Sequence, residues 1–292
     1  MIAQITVTNS TFPEPGDTLR VVRDADPNIN IQSPGEDITW NFTSLDGPVF
    51  ESIIEDASQG TAFGDFSNAT ILTGEIGIAE TYFRTTSSEH TSLGFSGQDP
   101  AGFGLDVIFR NTPPLLERIS PLNFGDDYNS NSSTRVPFAW DELPGAITDS
   151  LGLPITPDSI AIGVETSRTE IVDAWGKVFL PVGYFDVLRV RRWDVTETKV
   201  EAYLPFLQWT DVTDLIGGGL GGDTTLTYRY YNDVSKEPIA IVTVDPITEE
   251  PTRVQYKSVD PSTGIIKLHK KQPNIYAYPN PAIDKVLSLI HI

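Results

Sequence analysis

The stretch "VDAWGKVFLPVGYFDVLRVRRWDVTET", Val172 to Thr198, decides how the rest of the chain is read. Two runs of β-branched and aromatic residues flank Pro181 and Gly183. Proline presets φ for a turn and glycine enters conformations closed to other residues, so the pair predicts a tight hairpin. By the strand's period of two, Leu188, Val190 and Arg192 share a face. That face is expected to be apolar near the turn and polar as the strand emerges, with Phe185, Leu188 and Val190 packing the hairpin onto the core.

Outward from this hairpin the same pattern recurs. "DTLRVV", "DITWNF", "AETYFRTT", "GLDVIFR", "TTLTYRYY" and "PIAIVTVD" are short strand-like runs separated by Gly, Pro, Asn and Asp. The 22 prolines and 23 glycines are spread as punctuation, which suits turns and defeats long helices. Only "PFAWDELPGAI" and "FLQWTDVTDLI" are expected to make a helical turn or two. The fold class is therefore all-β: an antiparallel β-sandwich or a curved half-barrel sheet, with few short helical turns. At 292 residues one core suffices, and residues 1–270 read as one β domain. A seam is expected near 123–135, where "NFGDDYNSNSSTR" crowds polar turn-formers into a long loop or linker. "DLIGGGLGGD", Asp214 to Asp223, reads as a hairpin tip.

Composition removes several kinds of function. With no cysteine, thiolate catalysis, Cys-ligated zinc and iron–sulfur clusters drop out. Forty acidic against twenty basic side chains give a net charge of -20, which repels phosphate backbones, so nucleic acid is excluded as a partner. No apolar run reaches the ~18 residues of a membrane helix, so no transmembrane segment is expected. The three histidines, His90, His269 and His291, are scattered, so neither a histidine metal site nor a histidine base is expected, and no cofactor or metal is assigned. The glycine loop carries no lysine and precedes a strand, against a phosphate loop. "GFSGQ", Gly94 to Gln98, is one residue from a nucleophile elbow and reads as a serine in a glycine-rich turn. Carboxylate neighbours such as Asp24 with Asp26 and Asp126 with Asp127 read as solvated turn residues, and no catalytic residue is assigned.

The aromatic residues say more. Leu226, Tyr228 and Tyr230 alternate onto one strand face, where they serve core packing or a cross-strand ladder in preference to a platform for sugar or lipid. Trp193, Tyr228 and Tyr230 are the ligand-binding candidates if such a platform exists.

The segment from Val172 to Thr198 resembles a pattern common in secreted proteins of the Bacteroidota: an Asp-x-x-Gly start, Pro-x-Gly-x-Phe, then "VLRV" and a long polar strand. Ala174 stands where the pattern usually has glycine. "YRYYNDVSKEPIAIVTVD", "GEDITWNFTSLDG" and "DFSNAT" are similar to further pieces of those proteins, scattered over residues 5 to 258. The combination also resembles half-barrel proteins of the lipoprotein-carrier type, whose curved sheet covers an apolar groove. Near the end, "YPNPAIDKV" resembles the opening of the type A sorting domain of type IX secretion, with Tyr278, Pro279, Asn280 and Pro281 as its motif. On that resemblance residues 271–286 are the start of a truncated sorting domain. "LSLIHI", 287–292, looks like a translation of a transposon end used in sequencing libraries, and Ala3-Gln4 looks like the junction left by a cleaved leader. Asp17-Thr18-Leu19, Asp149-Ser150-Leu151 and Asp158-Ser159-Ile160 resemble O-glycosylation acceptors of that phylum, at Thr18, Ser150 and Ser159.

Together these imply a secreted or cell-surface, non-enzymatic β protein, exported by the type IX machinery as its partner and binding a glycan, lipid or protein. The alternatives are a secreted carboxylate-dependent hydrolase of glycosidase type and a purely structural surface protein.

Overall fold

A computed structural model describes residues 4–150, 155–216 and 220–258. The tail motif at 278–281 and the Leu151 to Pro154 and Gly217 to Gly219 segments lie outside the described residues. The chain forms a large, mostly antiparallel sheet nearly closed into a barrel. Of the two expected architectures, the curved sheet is therefore the one observed.

The hairpin that opened the reading is the axis of the fold. Strands β10 (Ser159–Leu180) and β11 (Gly183–Leu204) pair along their whole length across the turn at Pro181 and Val182. Against one edge of the hairpin lie β13 (Gly222–Tyr231), β14 (Ala240–Val244), β15 (Pro251–Lys257), β1 (Thr18–Asp24) and β3 (Val49–Ile53), in that order. On the other side come β9 (Asp127–Ala139), β8 (Asp106–Ile119), β7 (Glu89–Gln98), β6 (Ala79–Thr85), β5 (Ile71–Glu75) and β4 (Glu55–Asp56). A short β12 (Gln208–Asp211) folds back on β11.

The two ends of this order, β3 and β4, follow one another in the chain with Ile54 alone between them. Ile54 is 1 % exposed, donates its N–H to Asp17 O and accepts from Gly16 N–H, both at 2.8 Å. One bent strand thus serves both edges, which protects backbone groups that an open sheet would expose.

Strand β2 (Gly35–Asn41) breaks the antiparallel rule. Past a bulge at Asp173 it runs parallel to β10, from Ala174 to Phe179. Gly176 makes this docking achievable: a Cβ there would sit 2.0 Å from Ile38 O, and its φ is +157°. The close approach requires glycine.

Leu226, Tyr228 and Tyr230 share one face, as alternation predicts, and join Trp40, Phe42, Val187, Val242 and Val254 in the largest apolar cluster. Leu188 and Val190 lie on the opposite face with Val172, Leu122 and Tyr231. Phe185, however, packs against the first cluster, because an odd position cannot share a face with 188 and 190. Arg192 continues the face of Leu188 and Val190 but does not emerge; it is 0 % exposed.

The polar stretch at 123–135 is also different from its reading. From Asp127 it is strand β9, paired with β10 from Asp127 to Ala139. Its polar residues find partners on both neighbouring strands: Thr169 Oγ1 of β10 donates to Asn129 Oδ1 at 2.8 Å, and Thr134 Oγ1 donates to Arg110 O of β8 at 2.6 Å. The two expected helical turns are found as a 3₁₀ turn at Trp140–Glu142 with α1 (Gly145–Ser150), and as α2 (Thr213–Ile216). "GFSGQ" lies within β7, away from any helix start.

Candidate functional site

Strand β11 presents arginines to both of its faces, and each face leads to a cavity. On the face of the largest apolar cluster, Arg189 is 0 % exposed. It donates to Asp173 through Nε at 2.8 Å and Nη2 at 3.0 Å, a bidentate pair. Its remaining nitrogen, Nη1, donates to the carbonyls of Ile31 and Gln32. Trp40 Nε1 donates to the same Ile31 carbonyl at 2.8 Å. The 30–34 segment is thus held from beneath by two buried donors, with Gln32 in the left-handed region at φ 57° and its N–H bonded to Asn30 Oδ1 at 2.8 Å. Residues other than glycine adopt this conformation at some cost and do so where surrounding structure imposes it.

Above this anchor lies a cleft of about 550 Å³, walled by Asn30, Gln32, Ser33 and Pro34 on one side and by Arg191, Tyr228 and Glu249 on the other. Glu249 is also left-handed, at φ 56°. Its carboxylate accepts from Arg191 at 2.9 Å and from the Tyr228 hydroxyl at 2.7 Å. Burial, with the bond to Glu249 adding to it, pushes the Tyr228 phenol up to about 12, so it stays a neutral donor. The lining combines two amides, two hydroxyls and one neutralised ion pair with the apolar Ile31 and Pro34.

On the opposite face, charges gather between the strands. Arg192 Nε donates to Glu170 Oε1 at 2.6 Å and Nη1 to Glu117 Oε2 at 2.8 Å. Arg168 reaches Glu117 Oε1 at 2.9 Å and Asp194 Oδ1 at 2.6 Å. Burial alone would raise the Glu117 carboxyl, but the Arg192 and Arg168 guanidinia outweigh it and hold the group well below the usual carboxylate range. This network borders a second cavity of about 200 Å³, lined by Glu117, Arg118, Arg229 and Lys236 with His90, Tyr231, Phe83, Leu19, Pro13 and Pro238.

Of the three aromatic candidates, Tyr228 alone lines one of these cavities, and it is 3 % exposed. Tyr230 is 0 % exposed and meets Trp40 and Phe42 edge-on at 5.1 and 5.5 Å. Trp193 is half-buried against the same cluster, beneath Arg191. Thr18 and Ser159 stand half-buried at the first positions of β1 and β10, and Ser150 ends α1. Asp24 accepts from the N–H groups of Asp26 and Asp46, and Asp126 from that of Asn123. These acids brace turns.

Asp173, Arg189, Glu170, Arg192 and Glu117 were not marked as a site by the sequence. The signal was incomplete: counting equal steps from the turn at Pro181 and Val182 sets Glu170 opposite Trp193, and only the bulge at Asp173 shifts the register by one to bring Glu170 opposite Arg192 and Arg168 opposite Asp194. Opposite charges at directly paired positions are what a buried ladder needs.

No protein-family model matches the chain, and no curated protein matches it. Among solved structures, a Bacteroides fragilis protein with a YmcC-like fold, inferred to be exported, aligns over 87 % of this chain and 98 % of its own at 9 % identity, with a TM-score of 0.26. That score is too low for the likeness to carry an argument. Among the described residues no helix is long and apolar enough to cross a membrane.

Proposed function

We propose that this is an exported, non-enzymatic β protein that binds a neutral glycan in the cleft between the 30–34 segment and Tyr228. The observation that carries the reading is the pinned wall of that cleft. Asn30, Gln32 and Ser33 offer side-chain donors and acceptors, and Arg189 with Trp40 fixes the Ile31 and Gln32 carbonyls between them before any ligand arrives. A wall fixed in advance loses little entropy on binding. A lipid tail would need a continuous apolar lining, whereas here Ile31 and Pro34 alternate with Asn30, Gln32 and Ser33 and face Arg191 and Glu249. Glycosidic hydrolysis needs two carboxyls roughly 5 to 9.5 Å apart, whereas among the described residues this cleft holds Glu249 alone, already tied to Arg191 and Tyr228.

Export by the type IX route and a place at the outer surface or in the medium are supported by the Tyr278-Pro279-Asn280-Pro281 run, as are the acceptor triplets at Thr18, Ser150 and Ser159. Trp193 and Tyr230 would then back the cleft without touching the sugar.

The test is an NMR titration with neutral oligosaccharides, following the indole N–H of Trp40, which bonds to the carbonyl of a cleft residue. A saturable shift is expected, weakened by Asn30→Ala. Absence of any shift across the panel at about 10 mM, beyond the ~1 mM that corresponds to about 4 kcal/mol, would overturn the reading.

A further inference from the structure

The cavity on the other face of β11 has a different chemistry from the cleft. We infer that it binds a small organic carboxylate with an apolar body, its head group held between Arg118 and Arg229.

A bulge creates the arrangement. His90 pairs with Arg118 and Thr91 with Leu116, so Glu117 is the extra residue between two ladder partners. A bulge breaks the alternation of faces and re-aims neighbouring side chains. Consecutive residues Glu117 and Arg118 therefore both line the cavity, which a regular strand forbids.

The charges there do not balance locally. Glu117 is already claimed by Arg168 and Arg192 at 2.9 and 2.8 Å. Arg118 is 5 % exposed and meets no carboxylate among the described residues; it donates to the Thr11 carbonyl and lies over the rings of Phe12 at 4.7 Å and Tyr231 at 5.0 Å. Arg229 makes no ion pair among the described residues, its one side-chain bond being a long 3.4 Å contact with Thr227. Lys236 at the rim is held by Glu14 at 2.8 Å and the Phe12 carbonyl at 2.9 Å. Among the described residues, two guanidinia therefore border a recess without an ion pair of their own, Arg229 sharing only the longer-range field of Glu117, in a protein whose net charge is -20. Removing a cation from water is costly unless an anion meets it. Burial, with the Arg118 charge adding to it, holds His90 down to about 4, so the imidazole is neutral and competes for no anion.

The remaining walls set the rest of the ligand. Phe83, Leu19, Pro13 and Pro238 are apolar. A volume of about 200 Å³ is below the ~300 to 1,000 Å³ of drug-sized sites. The ligand is thus a compact acid with a small hydrocarbon or aromatic body. Inorganic phosphate would satisfy the arginines and leave the apolar walls unused.

Isothermal titration of the full chain with benzoate, benzamide and inorganic phosphate tests this. Saturable binding is expected for benzoate, at least about tenfold weaker for the other two, and roughly 10- to 100-fold weaker for benzoate with Arg229→Gln, since a charged hydrogen bond carries that much. Should Arg229→Gln not fold, the difference between benzoate and benzamide on the unaltered chain keeps the inference open to refutation. Equal binding of benzamide, stronger binding of phosphate, or benzoate binding unchanged in the folded variant would each overturn the inference. Neutral oligosaccharides provide the separating arm. Their effect on Trp40 is independent of Arg229, so failure of the glycan reading leaves this one standing, and the reverse.

Discussion

Arg189 and Arg192 stand three residues apart on one strand, both wholly buried, and they do different work. Arg189 has one carboxylate partner and spends its remaining donor on two carbonyls of a surface segment. Arg192 has two carboxylate partners, and beyond them lie further cations. The first is a closed unit that shapes a neutral cleft. The second belongs to an open network that leaves positive charge beside a cavity. The difference teaches that a buried arginine's role is set by whether its neighbours satisfy it completely, and the period of two decides which neighbours those are.

The largest expected break in this comparison is Arg192→Leu. It strands Glu170, itself 0 % exposed, and half of Glu117's pairing. Uncompensated buried charge costs about 3 to 5 kcal/mol, which urea denaturation would read. Arg189→Leu should cost less, about 2 to 4 kcal/mol, because Asp173 is closer to solvent, with 8 % of its side chain exposed. Its signature is local: the Trp40 indole resonance moves, while Arg192→Leu leaves that resonance in place in any molecules that remain folded.

Gly176→Ala sharpens the same contrast from the backbone. The new methyl meets Ile38 O, so β2 must shift, at a cost of roughly 1 to 3 kcal/mol. The effect should be confined to β2 and the Trp40 side of the sheet, checked by amide hydrogen exchange.

Acid acts on the side of His90 and Glu117 and on the Glu80 cluster in two separate windows. The folded value of His90 is depressed from 6.5 to about 4, so the unfolded chain binds the proton first. Stability should therefore fall as pH drops from about 6.5 towards about 4, and His90→Gln should flatten the melting temperature over that window. Glu80 follows the carboxylate pattern. Burial alone would raise it, yet bonds from Tyr82, Thr61 and Gly77 hold it at about 2. Its contribution is present above about 4.5 and lost below, as is that of Glu117, so these losses begin where that of His90 is ending.

The smallest effect is expected at Arg20, whose pair with Glu51 at 2.8 Å is half-exposed. Arg20→Gln should change stability by about 0 to 1 kcal/mol. A loss as large as that of Arg189→Leu would mean that burial does not set the scale.

Read by itself, the sequence determined the hairpin at Pro181, the shared face of Leu226, Tyr228 and Tyr230, the two short helical turns and the all-β class. Each depends on neighbours one to four residues apart, and backbone geometry makes such relations local. The tertiary structure alone decided that Asn123 to Arg135 contains a strand, since its backbone and hydroxyls needed β10 on one side and the β8 carbonyls on the other to become a ladder. It alone brought Ile31 to Arg189, across 158 positions, and Glu117 to Arg192, across 75. Burial of an arginine is invisible in sequence because the side chain that neutralises it is chosen by how strands from distant parts of the chain are paired, and here a bulge at Asp173 and another at Glu117 made that choice.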